Sequence, residues 1–138
     1  DAEAECGIGE KVRFSVLCDI LDACGDELPV WSGNDDLTVP LLSLGAKGVI
    51  SVLSNVRPKR TLQMVRACQA GDYAAAGRMQ VALTPLIDAL FSEINPIPVK
   101  QALSLMGIPA GLPRLPLTPL SATHLPALEQ ALSAAPEP

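Results

Sequence analysis

The alternation of helical patterns with two short apolar segments constrains the fold of this chain more than any other feature. Apolar residues recur at helical spacing over 11–24, an apolar run follows over 28–31, and an uninterrupted run rich in β-branched residues covers 48–52. Further helical patterns occupy 38–44 and 58–71, with short connections between the segments. Helices that alternate with strands in this way are typical of parallel β/α units. The sequence therefore predicts an α/β fold for the first half of the chain.

Two strands are too few for a parallel sheet, which proteins normally bury on both faces. The second half supplies no further strand pattern, because helical patterns alternate there with segments rich in proline and glycine. Asp72 begins a long helix in which Pro85 predicts a kink, and a short helix covers 99–106. We therefore interpret the second half as an all-helical appendage and the first half as part of a larger β/α unit.

Polar residues beside the predicted helices are candidates for helix caps. Asp36 or Thr38 can cap the helix over 38–44, and Ser121 can cap a last helix that ends near Ala134. The single histidine, His124, has no cluster of metal ligands around it in the sequence, so we expect it at the surface or in a capping position.

Composition and charge exclude several classes of protein. The net charge is −5 at pH 7 and no basic patch with interleaved aromatic residues is present, so we expect no nucleic-acid partner. No apolar run reaches the length that a bilayer-spanning helix needs, and residues 1–3 do not open a signal peptide. The four cysteines form no CxxC pair. These features predict a cytoplasmic protein with reduced cysteines, no membrane partner, and no metal or other cofactor.

Five short motifs follow one another over residues 11–120. They are Trp31-Ser32-Gly33-Asn34-Asp35-Asp36, then Gly45-Ala46-Lys47-Gly48-Val49-Ile50-Ser51-Val52, then Asn55 with Pro58, then Asn95-Pro96-Ile97-Pro98-Val99-Lys100, and finally Arg114-Leu115-Pro116-Leu117. Any one of them is weak, but together they are specific. In their order and spacing the chain resembles the dihydrodipicolinate synthase family.

This resemblance implies an eight-stranded TIM barrel, (β/α)8, of which the chain holds the C-terminal portion. Residues 1–71 then form a partial barrel with helix 6, strand 7, helix 7, strand 8 and helix 8. Residues 72–138 form an α-helical C-terminal domain, so that the chain as a whole is mostly helical.

The resemblance also implies an activity. The family joins pyruvate to an aldehyde through a Schiff base on a lysine, and the synthase uses aspartate semialdehyde in lysine biosynthesis, within a homo-oligomer that is a tetramer. It places Gly33, Asn34 and Asp35 in a loop close to the substrate, and the backbone carbonyl of Ile50 at the pyruvate pocket. Such loops lie at the carboxyl ends of barrel strands.

Each of these residues also has a purely structural interpretation. Gly33 is suited to a turn as well as to a close approach of ligand and backbone. Asp35 and Asp36 are suited to capping the helix that follows. Ile50 is first of all a core residue of a strand, and Lys100 is interpreted as structural because it lies in the helical half.

The Schiff-base lysine of the family has no counterpart in this chain. In the family it lies on the sixth strand, in a Gly-(Ile/Val)-Lys-Glu-Ala segment. Ala2-Glu3-Ala4 carries alanine in place of lysine and lies too far upstream, whereas Lys11 lies too close to Ser32. The tyrosine relay is absent as well, and Tyr73 is in the wrong place to replace it. We therefore expect no catalytic residue here, an inactive isolated chain and an active full-length parent.

Two alternatives stay open at this point. The chain can belong to another pyruvate aldolase of the same family, such as an N-acetylneuraminate lyase or a keto-deoxy-sugar aldolase. It can also be a non-catalytic interaction module whose helical half packs against a partner.

Overall fold

A computed structural model describes residues 15–136 of the chain. The helices in this part are α1 over 15–24, α2 (Thr38–Ser43), α3 (Pro58–Gln69), α4 (Tyr73–Leu90), α5 (Ile97–Leu105) and α6 (Leu125–Ala134). The strands are β1 (Trp31–Ser32) and β2 (Gly48–Val49), and two short 3-10 helices cover Gly25–Glu27 and Leu53–Asn55. The predicted alternation of helices and strands in the first half is confirmed, and the described chain is mostly helical with little sheet.

The two strands pair in parallel, with Trp31 opposite Gly48 and Ser32 opposite Val49. A hydrogen bond flanks the pair on each side, from Lys47 N–H to the Val30 carbonyl and from Ile50 N–H to the Ser32 carbonyl, both at 2.8 Å. The strands are shorter than predicted. The expected strand over 48–52 is wrong beyond Val49, because the chain turns there into the 3-10 helix at Leu53–Asn55.

Helix ends agree with the sequence where glycine or aspartate marks them. Gly71 and Gly107 follow α3 and α5 with φ of 79°, a left-handed conformation that glycine adopts readily. Asp72 caps α4, since its carboxylate accepts a hydrogen bond from Ala75 N–H at 2.9 Å. Pro85 lies inside α4, which continues past it to Leu90.

One predicted helix cap and two predicted helix starts are wrong. The residue before α2 is Leu37, with no side-chain cap, because Thr38 turns its hydroxyl to the Asp35 carbonyl at 2.9 Å. Helix α5 begins at Ile97 and not at residue 99, since Pro98 fits the first turn, where its missing N–H costs nothing. Helix α6 begins at Leu125, directly after His124, and Ser121 lies outside it.

One apolar core joins the two halves of the described chain. Leu53, Val56 and Met64 from the first half pack with side chains of α4, α5 and α6 from the second half. A smaller cluster around Leu42 and Cys68 joins α2 to α3 and α4. Burial raises the pKa of the Cys68 thiol in this cluster. The division at residues 71 and 72 stays a prediction, and the shared core shows that the segments on its two sides pack directly together.

Arg57 fixes the end of α6 to this core. The residue is buried, with a relative exposure of 5%. It donates hydrogen bonds to the backbone carbonyls of Val56 and Leu132, both at 2.7 Å, and to that of Ala135. The last carbonyls of a helix have no partner within the helix, so this arginine supplies donors that α6 needs. Across residues 15–136, no helix is both long and apolar enough to cross a membrane.

Candidate functional site

Two loops meet at the carboxyl edge of the parallel strands. The first loop, residues 33–37, leaves β1 and leads into α2, and the second loop, residues 50–52, leaves β2 and leads into the 3-10 helix. The strands are parallel and in register, so their carboxyl ends lie side by side. This edge is where parallel β/α proteins place their ligands.

Asp35 holds the two loops together. Its Oδ2 accepts hydrogen bonds from the backbone N–H groups of Val52 and Leu53, each at 2.9 Å. The side chain is almost fully buried, with 1% exposure, and its Oδ1 has no hydrogen-bond partner among the described residues. The carboxylate therefore binds the backbone where the second loop enters the 3-10 helix at Leu53–Asn55. The interpretation of Asp35 as a cap of α2 is wrong, because its side chain reaches across to the second loop.

Gln80, from α4, holds the first loop from the other side. Its Nε2 donates to the Asp35 carbonyl at 3.0 Å, and its Oε1 accepts from Val39 N–H at 3.3 Å. The residue is buried, at 8% exposure. Because α4 belongs to the second half of the chain, the helical half takes part in shaping the loop.

Gly33 is exposed and does not adopt a left-handed conformation. A Cβ built at this position meets nothing within 4 Å among the described atoms. Neither the turn nor the packing of this part of the chain requires glycine at residue 33. The structural interpretation of Gly33 as a turn glycine is therefore not supported by the backbone.

Ile50 follows β2 with its side chain 76% exposed. Its interpretation as a core residue of the strand is wrong for the described chain, in which β2 ends at Val49. The neighbouring strand residue Trp31 is also half-exposed, at 50%. Both apolar side chains thus lie on open surface of the sheet.

A cleft of about 340 Å³ lies between the first loop and the end of α4. Asn34 and Asp36 line it from the loop, and Ile87, Asp88 and Phe91 line it from the helix. Its lining residues include two carboxylates and neither lysine nor arginine, so it favours cationic groups or hydrogen-bond donors over anions. The sequence motifs did not indicate that α4 lines this cleft, although the spacing of Ile87, Asp88 and Phe91 places them on one helix face.

The described lysines do not line this cleft. Lys47 precedes β2 and lies at the opposite edge from the two loops. Lys59 is exposed in the first turn of α3, and the ammonium group of Lys100 donates to the Ala110 carbonyl. The latter contact agrees with the structural interpretation of Lys100. Lys11 and the Ala2-Glu3-Ala4 segment lie outside the described residues.

The single histidine, directly before α6, contacts Glu93 in the connection between α4 and α5. Nδ1 of His124 is 2.8 Å from Oε1 of Glu93, which also accepts from Ser121 N–H at 3.0 Å. Hydrogen bonds from the Ser121 hydroxyl, from His124 and from the Ser121 backbone lower the pKa of Glu93 to about 2. His124 occupies the position before the first residue of α6 and is partly exposed, as predicted. Within residues 15–136, no group of three histidine, cysteine or acidic side chains is arranged to hold a metal.

Known proteins are similar to this chain in both sequence and fold. The profile of the Dihydrodipicolinate synthetase family matches residues 6–135. The 4-hydroxy-tetrahydrodipicolinate synthase of Acetivibrio thermocellus is 43% identical over 128 residues, which are 93% of this chain and 42% of that protein. The synthase of Methanocaldococcus jannaschii is 49% identical over 106 residues, 77% of this chain and 37% of that protein.

A solved structure gives the same result. The 4-hydroxy-tetrahydrodipicolinate synthase of Methylacidiphilum fumariolicum SolV superposes with a TM-score of 0.84 at 38% identity, covering 88% of this chain and 40% of that one. Parallel β/α units with polar loops at the carboxyl edge, packed on a helical half, define a segment of a β/α fold. The chain belongs to the dihydrodipicolinate synthetase family. It spans about two fifths of the length of the curated relatives it matches.

Proposed function

We propose that this chain is the C-terminal portion of a 4-hydroxy-tetrahydrodipicolinate synthase, a Schiff-base lyase that condenses pyruvate with aspartate semialdehyde in lysine biosynthesis. The observation that carries the proposal is the pair of loops that Asp35 joins at the carboxyl edge of two parallel strands. The 43% identity to a synthase over 128 residues supports the assignment of that edge to this chemistry.

In this proposal, β1 and β2 are the seventh and eighth strands of a TIM barrel. Residues 1–71 are its last part, and residues 72–138 form the helical C-terminal domain. The parallel pairing and the exposed side chains of Trp31 and Ile50 support this assignment. A parallel sheet is normally covered on both faces, so further strands beside these two, with their helices, would bury the side chains of Trp31 and Ile50.

Each loop has a role toward pyruvate. Gly33 allows the backbone of the first loop to approach the substrate, since no Cβ intervenes. Asn34 offers its amide to polar groups of the substrate in the cleft. The Ile50 carbonyl orients protonated groups beside the Schiff base without adding a full charge. The substrates are thus bound by backbone and amide groups, which leaves the covalent step to a residue outside these loops.

The nucleophile is a lysine supplied by the rest of the full-length parent, where it condenses with pyruvate. No described lysine lines the cleft, and the two carboxylates there disfavour an anion such as pyruvate in the absence of further positive charge. The isolated chain is therefore inactive. The parent works as a homo-oligomer, a tetramer by resemblance to the family.

Borohydride trapping tests this proposal. The isolated chain and a chimera are each incubated with pyruvate, reduced and weighed by intact mass spectrometry. In the chimera, residues 15–136 of this chain replace the matching segment of the Acetivibrio thermocellus relative, so that the relative keeps its own residues before that point. We expect an unmodified isolated chain and one reduced pyruvate adduct on the chimera, mapped to a lysine of the relative's part. An adduct on Lys11, Lys47, Lys59 or Lys100 of the isolated chain overturns its inactivity. A folded chimera without an adduct overturns the synthase assignment.

The aldehyde is tested with the same chimera. Consumption of aspartate semialdehyde with pyruvate supports the synthase. Turnover of a sugar aldehyde in its place supports the sister lyases of the family.

A further inference from the structure

We propose that Asp35 and Gln80 are positioning residues for pyruvate, and that they set the distance between the two loops of the site. We call these two side chains the loop brace. The inference rests on the proposed function, because the loops that the brace joins are those proposed to contact the substrate. Asp35 then acts by holding the backbone of the second loop, and not by contacting the substrate itself. Gln80, from the helical half, is added to the site.

The first part of the loop brace is the carboxylate of Asp35, which connects the two loops at the same distance along the chain from Gly33 and from Ile50. Asp35 lies two residues after Gly33, and its carboxylate binds Val52, which lies two residues after Ile50. The second bond, to Leu53 N–H, has the same length of 2.9 Å. Two N–H donors on one buried carboxylate oxygen form charge-assisted bonds, which are stronger than neutral ones. A shift of either loop relative to the other therefore requires that this pair of bonds stretch or break.

The second part of the brace holds the first loop in place against α4. The Asp35 carbonyl accepts from Gln80 Nε2 at 3.0 Å and from the Thr38 hydroxyl at 2.9 Å. The same Gln80 amide accepts from Val39 N–H. An amide side chain carries both a donor and an acceptor, and Gln80 uses both on one loop. Glutamate at this position keeps the acceptor alone, and methionine keeps neither.

These two parts form one connected path from α4 to the second loop. Gln80 binds the backbone of Asp35, and the side chain of Asp35 binds the backbone of Val52 and Leu53. All the members of this path are buried or half-buried. A small displacement of a substrate-positioning group lowers the rate or the binding of substrate steeply, by about a hundredfold for 1 Å. Through Gln80, the helical half thereby influences the position of both loops.

The test compares variants of the chimera by their Michaelis constant for pyruvate, their kcat and their thermal midpoint. In Gln80→Met we expect the KM for pyruvate to rise by about tenfold or more, with a smaller change in kcat. Gln80→Glu keeps the bond to Val39 and is expected to give an intermediate KM. The matched control is Thr84→Val, one turn further along α4, which removes a hydrogen bond to the Gln80 carbonyl and leaves the loop contacts intact. We expect its KM to stay at the starting value.

Asp35→Asn provides a second variant that keeps the size of the side chain and removes its charge. We expect it to raise the KM for pyruvate in the same direction as Gln80→Met. Variants that lower the thermal midpoint while the KM stays unchanged overturn the brace and leave a purely structural role. A folded, unsubstituted chimera that forms no pyruvate adduct overturns the proposed function and the brace together. The unsubstituted and substituted chimeras thus separate the two failures.

Discussion

The two halves of the described chain are stabilised in different ways. In the helical half, Leu83, Leu86, Leu90 and Leu128 are buried completely or almost completely in one core. In the strand half, each strand pairs over two residues, and hydrogen bonds to Asp35 connect the loops beyond them. The apolar core that the helical half shares with Leu53, Val56 and Met64 is closed, whereas the sheet has open apolar surface. The comparison shows that hydrogen bonds through Asp35 and Gln80 connect the two loops to the helical half, and it predicts which substitutions change stability and which change substrate binding.

The largest effect on stability is expected in the helical core. Leu90 has no exposed surface, so Leu90→Ala removes buried methyl groups and leaves a cavity. We expect the free energy of unfolding of the isolated chain to fall by about 3–4 kcal/mol. Urea denaturation followed by circular dichroism measures this change. Ile50→Ala, on the open sheet, serves as the control and should change it by less than about 0.5 kcal/mol. Equal losses in the two variants would contradict the difference between the halves.

A smaller loss is expected for the buried cation that joins the halves. Arg57→Met keeps the length of the side chain but removes the donors to the Leu132 and Ala135 carbonyls. We expect the free energy of unfolding to fall by about 2 kcal/mol, because buried carbonyls are left without these partners. Hydrogen exchange at the end of α6 should increase in the same variant. Unchanged protection there would show that Arg57 does not hold the helix.

A still smaller effect depends on pH. Folding lowers the pKa of Glu93 from 4.5 to about 2, so the carboxylate stabilises the folded chain fully above pH 4.5. This contribution is lost as the pH falls through about 2, and the partial exposure of the pair with His124 keeps it small. We expect the stability difference between the chain and Glu93→Gln to be constant above pH 4.5 and to shrink below it. A difference that grows toward low pH would contradict this assignment.

The smallest effect on stability is expected at Gly33, where the effect on pyruvate binding should be large. A methyl group at this position meets no neighbour and the backbone is not left-handed, so Gly33→Ala should change the free energy of unfolding by less than about 0.5 kcal/mol. In the chimera, the same substitution should reduce the yield of the trapped pyruvate adduct. Gly77→Ala, on α4, provides a comparison, because its Cβ also meets no neighbour and the residue does not line the cleft. Equal adduct yields in the two variants would show that glycine is not needed at the substrate.

The features that the sequence predicted correctly depend on residues close together along the chain. The order of helices and strands follows from periodic apolar residues, and the ends of α3 and α5 follow from Gly71 and Gly107. The role of Asp35 could not be predicted in this way, because its partners Val52 and Leu53 are 17 and 18 residues away. A local rule assigned it to the adjacent helix, whose first turn is left without a side-chain cap.

The same limit applies to the cleft and to the open sheet. Gln80 reaches a loop 45 residues earlier in the chain, a contact that no pattern along one helix reveals. The β-branched run over 48–52 predicts a longer strand, but a strand needs neighbours on its edges to continue. The family motifs indicated the loop residues Gly33, Asn34 and Ile50, and did not indicate the face of α4 that lines the cleft beside them.

The half-exposed Trp31 has an optical consequence. It is the only tryptophan in the chain and its ring lies against Gly48, 3.1 Å from the position that a Cβ would occupy there, at the open sheet. Its fluorescence therefore reports on this surface alone, without interference from the helical half. A polypeptide that covers the sheet should shift the emission to shorter wavelength and shield the indole from quenchers in solution. The chain thus carries its own spectroscopic probe at the open surface of its sheet.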